Sequence, residues 1–341
     1  MNEPSYIALA KSGELARRVD LLMSMLGCCR ICPRNCDVDR LQNQVAACYS
    51  GLLPIVSAYT AHFGEEPALV GSRGAGNVFV GLCNLRCVYC QNHQISQTFR
   101  QQRQNEITFE RLAEIYLELQ QQGCHNINWV SPTHFVPQLV KSLLLAVDRG
   151  LRLPIVYNTN SYDSVEVLRL LDGIVDIYLP DLKYSEDEAG REYSKVTGYV
   201  AHSRAALSEM YRQTGATLVF GSDGLVKRGL IVRLLVLPND IAGVGESLRW
   251  LHDRLSPRVA VSLMAQYFPT NKVAVDRYPL ISRKLRWSEW LTATEQLEAL
   301  GMEEGWQQDF ESASEYYRPD FGNADIPFKD ISDFQRRTSS T

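Results

Sequence analysis

The sequence has no excess of positive charge. Its 35 Lys and Arg face 39 Asp and Glu, a formal net charge of −4. Nucleic-acid binding by bulk charge needs a basic face, so no nucleic-acid partner is expected. There is also no apolar run near the roughly 18 residues of a membrane span, so no membrane partner is expected either. The opening Met1-Asn2-Glu3-Pro4-Ser5 has no basic stretch followed by an apolar one. A secretory signal is therefore not expected. The expectation that follows is a reducing, cytoplasmic setting, where disulfides are rare. Internal repeats are missing as well. With 341 residues, 45% hydrophobic and 22% charged, the composition is that of an ordinary globular protein.

What the chain does have is cysteine. There are nine, an odd number that suits a disulfide framework poorly. Cys28, Cys29, Cys32, Cys36 and Cys48 share one stretch, and Cys83, Cys87 and Cys90 share another. Such clusters read first as metal ligands or reactive thiols. Cys124 stands alone and reads as a core thiol.

Hydrophobic patterning divides the chain. Residues 1–27 read as one amphipathic helix, and 28–70 as cysteine-rich and then irregular, broken by Pro33, Pro54 and Pro67. Short apolar runs follow at 77–82, 126–131, 154–158, 175–181, 230–237 and 259–267. Their near-continuous apolar character fits strands buried on both faces of a parallel sheet. Segments of helical period lie between them. In 108–122, Leu112, Ile115, Tyr116 and Leu119 recur on one face, and 136–149 repeats the pattern. Further helices are expected at 165–172 (capped by Ser164), 203–214, 244–255 and 288–300. Segment 216–229 reads as a turn or hairpin, and Gln101–Asn105 as a solvated loop. Gly71, Gly74 and Gly76 precede a strand rather than follow one, so they read as a tight turn and not as a phosphate loop.

The array spans about 190 residues, less than the ~250 of a full eight-stranded barrel. The expected fold is α/β, a partial (βα)6 TIM-type barrel with a Cys-rich N-terminal extension. The expected divisions are a metal-binding extension at 1–70, a barrel core at 71–270, a C-terminal helical segment at 271–329 and a disordered tail at 330–341.

The sharpest signal is Cys83-Asn84-Leu85-Arg86-Cys87-Val88-Tyr89-Cys90, directly after the first apolar run. That position is a first βα loop, on the face where such barrels carry their chemistry. Three thiolates in eight residues can hold three irons of a cubane cluster and leave the fourth open. The competing reading is a zinc site with a borrowed fourth ligand. The usual zinc pattern pairs two cysteine knuckles, which this stretch lacks.

This stretch, Cys-x3-Cys-x2-Cys with Tyr89 before the last cysteine, resembles the signature of the radical S-adenosylmethionine (SAM) superfamily. Extended through Gln91-Asn92, it is similar to the pyruvate-formate-lyase-activating-enzyme-like branch. The nearest likeness there is to Fe–S members that also carry an N-terminal Cys-Pro-Arg-Asn-Cys segment.

The resemblance implies a [4Fe–4S] cluster on Cys83, Cys87 and Cys90 whose open iron chelates S-adenosyl-L-methionine. It also implies reductive cleavage of that cofactor to a 5′-deoxyadenosyl radical, which abstracts a hydrogen atom. Tyr89 would lie against the adenine. Ser131 and Thr133 stand where the superfamily has a Gly-Gly-Glu segment for the SAM amine, and supply no carboxylate. His134 beside them would handle protons, face substrate or serve structure. Asn158-Thr159-Asn160 and Asp181-Leu182-Lys183 are similar to activase segments. Lys183 would pair with the SAM carboxylate and Asp181 with a ribose hydroxyl or the sulfonium side, the other reading being a surface ion pair. Arg233, inside an apolar run, needs a buried partner: the SAM carboxylate or an internal Asp. Gln266 occupies a position where the activases have histidine.

The resemblance further implies a reductant such as a flavodoxin or ferredoxin. The substrate would be a glycine of a protein partner, or alternatively a small molecule or peptide. A non-catalytic electron-transfer or metal-binding protein is the reading from another class. At the N-terminus, Cys29, Cys32, Cys36 and Cys48 offer four thiolates to zinc or a complete Fe–S cluster, with Cys28 spare.

Overall fold

A computed structural model describes residues 3–312 and Phe321. The frame is a mixed sheet of nine strands: β1 (Val56–His62), β2 (Ala75–Val80), β3 (Ile127–Val130), β4 (Ile155–Thr159), β5 (Ile177–Pro180), β6 (Val219–Phe220), β7 (Val226–Leu235), β8 (Ala260–Met264) and β9 (Gly305–Gln307). The order across the sheet is β1-β2-β3-β4-β5-β7-β8-β9, with β6 paired to β7 as a hairpin. From β2 to β9 every step along that path is parallel, and β1 closes one edge antiparallel to β2. The six expected strands are β2, β3, β4, β5, β7 and β8, and the fold is the expected partial barrel.

Parallel strands need crossovers, and amphipathic helices supply them. Phe109–Gln121 buries Leu112, Ile115, Tyr116 and Leu119, and Val136–Asp148 buries Leu139, Val140, Leu143 and Val147. Val165–Leu170, Tyr199–Thr214, Val244–Arg254 and Trp287–Ala299 fill the remaining crossovers and the C-terminal flank. The extension joins the same core. Tyr6, Leu15, Leu22 and Leu26 are buried in one hydrophobic cluster with barrel residues such as Val140, Ile155 and Leu230. Among the described residues no helix is long and apolar enough to cross a membrane.

Several local expectations are corrected. Residues 1–27 form two helices, Tyr6–Lys11 and Glu14–Ser24, because Gly13 takes a left-handed conformation (φ 78°) between them. Segment 28–70 is not irregular throughout, since it contains β1 and a helical turn at Pro67–Val70. Gln101–Asn105 is helical rather than a loop, and its buried Gln102 accepts a hydrogen bond from Ser57. Ser164 makes no side-chain cap. Asp187–Ser194 adds an unexpected helix, and β9 places part of the C-terminal segment in the sheet. The expected tail, 330–341, lies outside the described residues.

Arg40 ties the extension to the barrel. It is 1% exposed and donates to the carbonyls of Gly51 (3.0 and 3.2 Å) and His134 (2.7 Å). Its guanidinium also lies over the Phe135 ring, 5.6 Å from the centroid. Arg40→Ala should cost about 2–4 kcal/mol of stability, because these bonds to a charged donor vanish inside the protein. Urea unfolding of the two proteins measures the loss, and an unchanged midpoint would remove Arg40 from this role.

Candidate active site

The strand ends converge on one cavity of about 480 Å³. Cys83, Cys87 and Cys90 line it from the loop after β2, together with Tyr89. Ser131 follows β3, Asn158 lies near the end of β4, Asp181 and Lys183 follow β5, Arg233 projects from β7 and Gln266 follows β8. Thus ten of the expected site residues share one enclosure. Thr133 and His134 do not line it.

The cysteine loop leaves β2 by a tight turn. A Cβ on Gly81 would collide with Ile55, and Leu82 takes a left-handed φ of 68°. Beyond it the loop is stitched down. Arg86 N donates to Ser194 O (3.0 Å) and Val88 N to Tyr193 O (2.8 Å). The carbonyl of Cys87 accepts from Gln97 (2.9 Å) and Asn271 (3.2 Å).

Each triad sulfur has polar company. Cys83 faces the amide of Leu85 (3.4 Å) and Asn160 Nδ2 (3.5 Å). Cys87 meets Ser194 Oγ at 3.0 Å, and Cys90 meets Ser96 Oγ at 3.2 Å. Burial raises all three thiols, Cys90 to about 12, and neighbouring cysteines push Cys83 and Cys90 further up. Lys183 opposes the rise at Cys83 and Cys87. Half-buried thiols that influence one another and face a single cavity have the chemistry of a soft metal site. Among the described residues no three His, Cys, Asp or Glu side chains converge to hold a single ion. A cubane asks for a different arrangement, with each thiolate on its own iron. The triad fits that group.

Asp181 and Lys183 form an ion pair at 2.6 Å on the cavity wall, with side chains 25% and 17% exposed, so they are not a surface pair. Burial would lower the Lys183 ammonium, but Asp181, Cys87 and Tyr199 together raise it and hold Lys183 charged.

The partner of Arg233 is corrected. Its ion-pair partners are two glutamates and not an aspartate. Glu66 binds Arg233 through two bonds of 2.7 and 2.8 Å, and Glu65 pairs with the same guanidinium. Asn158 Oδ1 lies 3.5 Å away. Burial alone would raise the Glu65 carboxyl, but Arg233 and His62 hold it well below the usual range. Asn77 also donates to Glu65, at 2.8 Å. These glutamates come from the turn after β1, and nothing in the sequence links them to a residue on β7.

Thr133 is likewise corrected. It is 1% exposed, and its hydroxyl meets Thr159 at 3.1 Å rather than the cavity. His134 is 1% exposed and serves structure, its Nε2 bonding the Gly81 carbonyl at 2.9 Å. Gln266 lines the cavity with its amide oxygen accepting from Gln308 (3.2 Å).

The N-terminal cysteines lie beside the triad loop. Cys29, Cys32 and Cys48 are buried and Cys36 is half-buried. Burial raises Cys32 to about 12, and Cys48, Cys29 and Cys36 add to that rise, which places the four thiols within electrostatic reach of one another. The chain turns sharply here, with Asn35 and Asp37 at φ of 43° and 54°. Cys28 is exposed and points to Asp37 (3.3 Å). Two arginines cross between the loops. Arg34 donates to the carbonyl of Asn84, next to Cys83, and Arg86 donates to that of Ala47, next to Cys48.

Burial lowers His134 to about 3, against an ordinary value of 6.5. Below about pH 6.5 the unfolded chain therefore binds a proton that the folded chain refuses. Stability is fully present above that pH and falls as pH drops toward 3. Between about pH 7.5 and about pH 5.5 this site should cost roughly 1.4 kcal/mol. Urea midpoints of wild type and His134→Gln should show that loss in wild type alone. Equal pH dependence in both would refute it.

Residues 77–215 match the family model of the Radical SAM superfamily. An uncharacterized protein of Methanocaldococcus jannaschii is 28% identical over 313 residues, covering 89% of this chain and 82% of that one. Among solved structures, HydG, a maturase of the [FeFe]-hydrogenase, aligns with a TM-score of 0.46 and 12% identity over 68% of this chain. The chain spans about half the length of that maturase, 50%. Methylornithine synthase aligns with a TM-score of 0.43 and 15% identity, over 77% of this chain and 80% of that one.

Proposed function

We propose that this chain, whose residues 77–215 match the Radical SAM superfamily model, cleaves S-adenosylmethionine reductively in the cavity described above. The observation that carries this reading is the set of three half-buried thiols at one rim, facing a cavity that also holds a paired Lys183 and Asp181. When bound, a [4Fe–4S] cluster and S-adenosylmethionine together supply one-electron carbon–sulfur cleavage and a 5′-deoxyadenosyl radical that takes a hydrogen atom from substrate.

The chain's own residues bind, orient and shield. Cys83, Cys87 and Cys90 would hold the cluster. Lys183 is the cavity cation suited to the SAM carboxylate, since Arg233 is already engaged by Glu65 and Glu66. Asp181 accepts from Lys183 and keeps it in place. Tyr89 offers a ring to the adenine, while Ser131 and Asn158 add polar contacts. The electron comes from a reductant such as a flavodoxin or ferredoxin. For the hydrogen donor, the activase-like Asp181-Leu182-Lys183 favours a glycine of a protein partner. Gln266 in place of histidine weakens that reading without establishing the alternative, a small molecule or peptide. Cys29, Cys32, Cys36 and Cys48 would hold a second, closed metal centre, zinc or Fe–S; since no three of these side chains converge on a single ion, the cluster is the better fit of the two.

Anaerobically reconstituted protein given dithionite and S-adenosylmethionine should release 5′-deoxyadenosine, measured by chromatography. Cys87→Ala should abolish it, and Lys183→Met should weaken SAM binding ~10-fold or more. Wild type that binds the cluster but neither binds nor cleaves the cofactor would defeat the proposal. Iron, sulfide and zinc analysis of Cys32→Ala beside wild type identifies the second metal, and identical contents would remove that site.

A further inference from the structure

Cys87 is the end of a buried chain of hydroxyls. Its sulfur meets Ser194 Oγ at 3.0 Å, Ser194 Oγ meets Tyr184 OH at 2.7 Å, and Tyr184 OH meets Tyr89 OH at 2.6 Å. Ser194 and Tyr184 are 0% exposed and Tyr89 is 6% exposed. Of these four residues, Tyr89 and Cys87 line the cavity.

Metal ligation would fix the direction of every bond in it. A cysteine thiolate bound to iron has no proton, so Ser194 must donate to the sulfur. The Ser194 oxygen is then left to accept, and Tyr184 must donate to it. Tyr184 in turn accepts from Tyr89. The chain runs Tyr89 to Tyr184 to Ser194 to Cys87, each donor strengthened by the one behind it.

Geometry holds the last donor still. Ser194 ends the helix Asp187–Ser194, which stops at Lys195 in a left-handed conformation. The carbonyls of Ser194 and Tyr193 bind Arg86 N and Val88 N, the residues on either side of Cys87. The hydroxyl therefore cannot drift from the sulfur unless the cysteine loop moves too. Ser96, which meets Cys90, sits only six residues from its partner; Ser194 lies 107 residues from Cys87 and is brought to it by the fold.

Hydrogen bonds to cluster sulfurs withdraw charge and favour the reduced, more negative state. We propose that Ser194, oriented by Tyr184 and Tyr89, is a positioning residue that raises the reduction potential of the cluster held by Cys83, Cys87 and Cys90. This rests on the cluster assignment made under Proposed function. Because Tyr89 also lines the cavity, the same chain ties the potential to what occupies it.

The test is a potentiometric titration, followed by electron paramagnetic resonance, of full-length protein reconstituted anaerobically. The set is wild type, Ser194→Ala, Ser194→Thr and Tyr184→Phe, with iron and sulfide measured on each. A triple Cys83→Ala, Cys87→Ala, Cys90→Ala variant supplies the blank for iron bound elsewhere. Ser194→Ala should load the same iron and show a more negative midpoint. Ser194→Thr should restore most of the difference, and Tyr184→Phe should shift it in the same direction by less. Coincident midpoints for wild type and Ser194→Ala at equal iron would overturn the proposal and leave the cluster assignment standing. Wild type with no iron beyond the blank would overturn both. If Ser194→Ala does not load, Tyr184→Phe decides alone, since it keeps the Ser194 hydroxyl, and a midpoint equal to wild type would overturn the proposal.

Discussion

In a parallel sheet every strand ends at the same rim, and the chemistry of this chain depends on that constraint. β2, β3, β4, β5 and β8 each hand their next residues to one cavity, although those residues are spread from Cys83 to Gln266. No single loop could gather three thiols, an ammonium, a carboxylate and several amides. The sheet does so because its crossovers return each strand in the same direction. The edges of the sheet serve the same end. The turn after β1 brings Glu65 and Glu66 into the cavity wall, and β9 brings Trp306 and Gln307 to it from the other side.

Burial then decides which charges are available. Arg233 is 12% exposed and opposed by two carboxylates with less exposure still. Two nitrogens of that guanidinium are committed to strong charged hydrogen bonds, which fix its place in the cavity wall and neutralise its charge. Lys183 has one partner and sits closer to the thiols in electrostatic terms, since it opposes the rise at Cys83 and Cys87. Thus two cations on neighbouring strands have different duties. One locks the wall of the barrel, and the other faces the cavity with charge to share.

Much of this was legible in the sequence, for reasons that can be named. The triad was legible because its spacing is local and its residues are chemically unmistakable. Helices such as Phe109–Gln121 were legible because 3.6-residue periodicity records which face is buried. β1 was not, because Ser57-Ala58-Tyr59-Thr60 is only half-buried at a sheet edge and carries no apolar run. β9 was not, because three residues are too few for a pattern. The Arg233–Glu66 pair spans 167 residues, and no local rule joins them. His134 follows a strand end and so invites a place at the rim. The 3-10 turn Thr133–Phe135 carries it instead into the core, under the Gly81 carbonyl.

The exchange of arginines between the two cysteine loops bears on why the extension exists. Arg34 leaves the first loop for the carbonyl beside Cys83, and Arg86 leaves the second for the carbonyl beside Cys48. Arg86 also lies over Tyr49, 5.5 Å from its ring centroid, and Tyr49 stacks on Phe99 at 4.4 Å. Neither loop can shift without breaking charge-assisted bonds in the other. Order imposed on the first loop is therefore transmitted to the second. A metal on Cys29, Cys32, Cys36 and Cys48 would impose such order, since metal binding to deprotonated thiols drives local folding. The carbonyl of Asn84, which Arg34 holds, is one residue from Cys83, and the Asn84 side chain is bonded to Asn160 at 2.8 Å. Asn160 in turn reaches the Cys83 sulfur. The path from the N-terminal thiols to the triad is thus a few direct bonds long, and the extension belongs to the architecture of the candidate site.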